Sequence, residues 1–153
     1  MIDVYIRSLD DADKPYALVA WREAHHAAAA KRMPWKFYKE RYGRLFEQLL
    51  SDHISLGAYS DGGELLGFIV FTPGKRIHTL HWVQTKYQDE HKISLRRRGV
   101  ASQLIAAAKL GDRFAYTLHG RRVNGATLDE IVAKHLLNKG QVAAYVDLLE
   151  WIK

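Results

Sequence analysis

The chain of 153 residues has no cysteine, three prolines and two methionines. Without cysteine there is no disulfide framework, no thiolate zinc site and no cysteine nucleophile. Long apolar runs are missing too. None approaches the ~18 residues that a membrane-spanning helix needs, and the alanine run 27–30 sits between His26 and Lys31, where it reads as helix filler. The opening residues Met1, Ile2, Asp3, Val4 and Tyr5 carry no basic segment followed by an apolar one, so no secretory leader is expected. These absences lead to an expectation of a cytoplasmic protein with no membrane partner. Two phosphate-binding signatures are also absent: Gly-x-Gly-x-x-Gly of dinucleotide-binding folds and Gly-Lys-Ser/Thr of nucleotide triphosphatases.

What is present is an ordinary globular composition, 48% hydrophobic and 26% charged. The length suits a single domain over 1–153. The formal charge is +6. Residues 1–76 hold 11 basic and 10 acidic side chains, whereas 77–153 hold 12 and 7. The excess thus lies in the second half and is densest at Arg96, Arg97 and Arg98. A basic balance of this kind suits a nucleic-acid binder, a binder of acidic membranes or an enzyme whose ligand carries phosphates.

Periodicity divides the chain into ten elements. A short strand at 5–9 precedes a helix over 14–31, with Asp13 as N-cap and Pro15 in its first turn. Pro34 opens a second helix, in which Tyr38, Tyr42, Leu45, Phe46 and Leu49 recur at helical spacing and predict a core-facing stripe. Strands follow at 54–59 and 65–71, joined by Asp61-Gly62-Gly63, and a third at 77–85 is rich in β-branched and aromatic residues. Residues 86–95 are polar and without period, as in an exposed loop. A helix over 99–110 is expected to end at Gly111, and a strand follows at 114–118. Thr127 and Glu130 form a capping box for a helix through 137, and 142–152 favours a last strand. The order β-α-α-β-β-β-α-β-α-β is that of a mixed α/β (α+β) domain around a mostly antiparallel sheet.

The segment with chemistry is Arg96-Arg97-Arg98-Gly99-Val100-Ala101, between a loop and an amphipathic helix. Glycine lets a backbone approach an anion without hindrance from a Cβ. The first amides of a helix have no intrahelical partner, and the helix dipole adds positive potential there. Flanking guanidinium groups add bidentate contacts. The combination makes a phosphate cradle.

This run resembles the acetyl-CoA signature of the GNAT N-acetyltransferase superfamily, Gln/Arg-x-x-Gly-x-Gly/Ala, with Arg96, Gly99 and Ala101 on its defined positions. The order of elements is similar across nearly the whole chain. Leu80-His81-Trp82-Val83-Gln84-Thr85-Lys86 looks like the fourth strand of that family. Together with Trp21 and the aromatic second helix, these motifs are also similar to small GNAT-like proteins carried by bacteriophages. The resemblance implies acetyl-CoA as co-substrate and an amine as acceptor, attacking the thioester directly. It places the pyrophosphate on the amides of Arg97, Arg98, Gly99, Val100, Ala101 and Ser102. It places the oxyanion on strand amides near Val83, Gln84 and Thr85.

The sequence departs from that pattern at three points. Residues 87–95 lengthen the connection between strand and signature. The glutamate that the family often uses as base is missing from 77–84, where His78 and His81 are the titratable side chains. The last helix holds His135 but no tyrosine. His81, Tyr145, Tyr116 and His135 are therefore the candidates for moving protons. No metal is expected: His25 and His26 point apart on a helix, and His78 and His81 fall on opposite strand faces. Arg121 and Arg122 are a second basic point, suited to the 3′-phosphate of CoA, an acidic substrate or solvent. Three acceptor classes remain: a small amine, a protein amine and a modified nucleobase. The competing reading is an inactive module that binds nucleic acid or a protein partner through the basic half. A last strand beside an opened sheet admits either a monomer or a homodimer.

Overall fold

A computed structural model describes residues 2–29, 32–52, 54–75, 78–110, 114–117 and 142–146, the last two segments as strand backbone. The elements are β1 (Tyr5–Ser8), a 3-10 turn (Asp11–Asp13), α1 (Lys14–Ala29), α2 (Trp35–Asp52), β2 (Ile54–Tyr59), β3 (Leu65–Thr72), β4 (His78–Thr85), α3 (Val100–Ala108), β5 (Phe114–Thr117) and β6 (Val142–Val146). One sheet holds all six strands in the order β1-β2-β3-β4-β5-β6. The first four pair antiparallel. β4–β5 and β5–β6 pair parallel. This is the mixed α+β sheet expected from the sequence.

The layers follow from residue spacing. Ala17, Trp21 and His25 recur every four residues on α1 and are buried. On α2, Tyr38, Tyr42, Leu45, Phe46 and Leu49 are buried as the periodicity required. Both stripes pack on one sheet face with Phe68, Val70 and Trp82. On the other face α3 buries Val100, Leu104, Ile105 and Ala108 against Leu66, Ile69, Leu80 and Val83. The central strand β3 is covered on both sides. Its run of seven buried residues, Leu65 to Phe71, is therefore continuous rather than alternating.

Several boundaries differ from the sequence reading. α3 stops at Ala108, short of 110, because Lys109 turns left-handed (φ 49°) and gives its N–H to Ala106 O at 3.3 Å. Residues 86–95 are not a plain exposed loop. Gln88 and Ser94 form a β-bridge. The Asp89 carboxylate accepts N–H bonds from His91 and Ile93, each at 2.9 Å. Leu95 is buried under α3. The turn at 61–63 forms as expected, with Gly63 at φ 84° and Gly63 N–H on Ser60 O at 3.0 Å. The predicted helix over 127–137, with His135, and the pair Arg121 and Arg122 lie outside the described residues.

Candidate functional site

β4 gains and loses neighbours along its length. On one side it pairs with β3 throughout, from Thr79 opposite Thr72 to Thr85 opposite Gly67. On the other side its pairing with β5 covers only His78, Thr79 and Leu80, opposite Phe114, Ala115 and Tyr116. Trp82 to Thr85 run on past that contact. The predicted residues Val83, Gln84 and Thr85 therefore lie on a strand end whose outer edge is unpaired among the described residues. A β-bulge falls at the same point: Val70 opposes Trp82 while Phe71 opposes Leu80, which leaves His81 as the extra residue.

The signature helix starts beside this strand end. Gly67, the partner of Thr85, makes the approach possible. A Cβ on Gly67 would stand 2.7 Å from Gln84 O, 3.3 Å from Thr85 Cα and 3.0 Å from Val100 Cγ1. The first residue of α3 thus lies directly over the end of β4.

The helix start leaves its first amides without intrahelical partners. Gly99 is the N-cap, in the left-handed region at φ 83°, and no side chain caps the helix. Gln103 N–H on Gly99 O, 3.0 Å, closes the first turn, so the amides of Val100 and Ala101 precede any intrahelical bond. Arg98 N–H is directed inward to Leu95 O at 3.4 Å. This narrows the predicted cradle towards Gly99, Val100 and Ala101. Arg96, Arg97 and Arg98 are all exposed around it, and Arg97 takes a left-handed turn (φ 58°). Ser102 is half-buried on the same first turn.

One positioning feature was not legible in the sequence. The N-terminal segment is tied to the helix start: Ile2 N–H bonds Arg98 O at 2.9 Å, and the Gln103 side chain bonds Ile2 O at 2.7 Å. Residues about a hundred positions apart carry no local signal of that pairing.

The proton-moving candidates fall in different places. His81 is buried (1% exposed) and shares a 2.7 Å hydrogen bond between Nε2 and Thr72 Oγ1. Tyr116 and Tyr145 are backbone register partners on β5 and β6. The Gln84 side chain is engaged as well, accepting Trp82 Nε1–H at 2.8 Å. Among the described residues no group of three or more His, Asp or Glu could hold a metal ion. No helix among them is long and apolar enough to cross a membrane.

An aromatic cluster connects β4 to the helices. Trp82 lies 5.6 Å from Trp21 and 6.1 Å from His25, centroid to centroid. His25 is enclosed by Tyr38, Tyr42, Phe46 and Trp82, and its Nδ1 is 2.8 Å from Tyr38 Oη. Burial pushes the Tyr38 hydroxyl well above the ordinary tyrosine range, and the neighbouring Tyr42 adds to this.

No protein-family model matches the chain, and no curated protein matches it in sequence. Solved structures do match in fold. A protein of Pyrococcus furiosus assigned as an acetyl transferase aligns over 98% of this chain and 89% of its own, with TM-score 0.53 and 15% identity. A Corynebacterium glutamicum protein described as "histone acetyltransferase HPA2 and related acetyltransferase" aligns over 72% of this chain and 74% of its own, with TM-score 0.50 and 19% identity. This chain therefore shares the fold of these two acetyltransferase structures.

Proposed function

We propose that the protein transfers an acetyl group from acetyl-CoA to an amine. One observation carries this reading: a helix start that no side chain caps stands over the end of β4, whose outer edge has no partner among the described residues. The residues fit the co-substrate. The amides of Gly99, Val100 and Ala101, with the first turn through Ser102 and the guanidinium groups of Arg96, Arg97 and Arg98, would hold its pyrophosphate. The backbone of Val83, Gln84 and Thr85 would hold the acyl-bearing arm along the outer strand edge, with N–H donors for the carbonyl oxygen. When bound, acetyl-CoA supplies an activated acyl group. The protein's own part is to orient it and to manage protons.

His81 is the candidate nearest the end of β4 in the chain, and Tyr116, Tyr145 and His135 remain the alternatives for accepting or returning a proton. The acceptor is a small amine, a protein amine or a modified nucleobase amine. The basic surface supports the anionic choices.

Thermal shift with acetyl-CoA tests the reading. At a hundred times its dissociation constant a ligand adds about 2.7 kcal/mol. In a domain of this size that raises the melting temperature by roughly 5–11 °C. Gly99→Glu should remove the shift by placing a carboxylate on the phosphate site. An unshifted wild-type melting curve would sink the proposal. A shift without CoA thiol release against a panel of amines would reassign the fold to a binding module.

A further inference from the structure

The first two turns of α2 present two aromatic rings to solvent. Trp35 is 43% exposed and Phe37 58%. The Trp35 indole is held rather than loose. One face stacks on Tyr38, with centroids 5.3 Å apart and planes within 16°. His26 meets it edge-on at 5.2 Å, and His26 is itself fixed by a 2.7 Å bond from Nε2 to Met33 O. The indole also borders a shallow open groove of about 440 Å³, lined by Trp35, Lys36, Lys39 and Glu40.

Charge surrounds both rings. Lys39 follows Trp35 by one helical turn, and Arg41 follows Phe37 by one turn. From position 32 to position 44 there are five basic side chains and a single acid, Glu40, all exposed. A protein core has no use for a fixed indole face with lysines beside it. Bases joined by phosphates match it on both counts: a flat π-surface to stack and an anion one helical turn away.

We infer that this face of α2 binds single-stranded nucleic acid, with an unstacked base on Trp35 and the backbone phosphates on Lys36 and Lys39. Duplex is a poorer match, because its base faces are covered by one another. The inference stands apart from acyl transfer, and its test contains no acetyl-CoA.

The test is fluorescence anisotropy with a labelled single-stranded oligodeoxyadenylate across a salt series, with inorganic polyphosphate as a base-free polyanion. Trp35→Ala should weaken the oligonucleotide about 5- to 150-fold, as loss of one stacked base does. It should leave polyphosphate binding unchanged, and Trp35→Phe should recover most of the loss. Lys36→Gln with Lys39→Gln should reduce the slope of log K against log salt by about 1.4, two phosphates' worth on a single strand. Circular dichroism melts confirm that each variant is folded. Three results each overturn the inference: Trp35→Ala binding like wild type, duplex of the same composition binding as tightly as single strand, or a self-association that Trp35→Ala abolishes. The last would make the face a contact between copies of this chain.

Discussion

Replacing Gly67 with alanine adds one methyl group at the point where β3, β4 and α3 converge. That methyl would stand 2.7 Å from Gln84 O and 3.3 Å from Thr85 Cα, both backbone atoms, and 3.0 Å from Val100 Cγ1. No rotamer change relieves a backbone clash, so the end of β4 or the start of α3 must move. Overpacking of this kind costs about 1–3 kcal/mol. Alanine returns about 0.4–1 kcal/mol by restricting the unfolded chain, since Gly67 is not in the left-handed region. The net loss is roughly 0–2.6 kcal/mol, or a melting temperature lower by up to roughly 10 °C. Gly57→Ala is the control. Its methyl would press on Tyr59 Cε2 at 2.6 Å and Leu65 Cδ1 at 3.0 Å, side-chain atoms in the cluster on the α1–α2 face. Both variants should lose stability in urea titrations. Only Gly67→Ala should also lose acetyl-CoA affinity in calorimetry, by about tenfold or more, because it displaces the two segments assigned to the co-substrate. Equal affinity losses in the two variants, or none in Gly67→Ala, would refute the assigned geometry.

Gln84→Leu orphans the buried Trp82 Nε1–H and should cost about 1–3 kcal/mol. The proposed co-substrate contact uses only the backbone of Gln84, so acetyl-CoA affinity should barely change; a large loss would show that the side chain itself is used. The Tyr59 hydroxyl is pushed up to about 12, chiefly by burial, from the ordinary value of 10.0. Its folded pKa exceeds its unfolded one, so its contribution is intact below 10 and is lost as pH rises from 10 towards about 12. Urea midpoints across that window should fall less steeply in Tyr59→Phe than in wild type, and parallel profiles would count against this assignment. Glu64 ties down the 86–95 hairpin: its Oε1 accepts Glu90 N–H at 3.2 Å and its Oε2 lies 3.9 Å from Lys86 Nζ. Glu64→Ala should speed amide exchange at residues 88–94 with little change in global stability, and unchanged protection there would show that the Gln88–Ser94 bridge holds the hairpin alone.

What could be read from the sequence was what local physics controls. The α2 stripe, the Gly63 turn and the glycine before α3 each depend on spacing or backbone freedom within a few residues. The end of α3 was misplaced because Gly111 is the better residue for a left-handed cap, yet Lys109 takes that conformation after the last buried position, Ala108. The hairpin at 86–95 was missed because Asp89 builds it through side-chain bonds to backbone amides, which leave no hydrophobic period. Gly67 lies within an apolar run that gives it no local signal. Its role appears only when β4 and α3 are brought against it. The bond between Ile2 and Gln103 is equally non-local.

The charge distribution shows how averaging along a chain can conceal a surface. Residues 1–76 are close to neutral, which draws attention to the arginines of the second half. Folding separates what that sum combines. Asp10, Asp11 and Asp13 lie together just before α1, where they meet Arg7, Lys14 and the Tyr59 hydroxyl. The cations from Arg32 to Arg44 face solvent along α2 with one acid among them. A neutral half thus carries a basic face, and that face holds the fixed indole of Trp35. The proposed phosphate site at the start of α3 would use the arginines at 96–98. A polyanion longer than a pyrophosphate has α2 available as well, and the salt slope of the lysine variants measures that share separately from the arginine triplet.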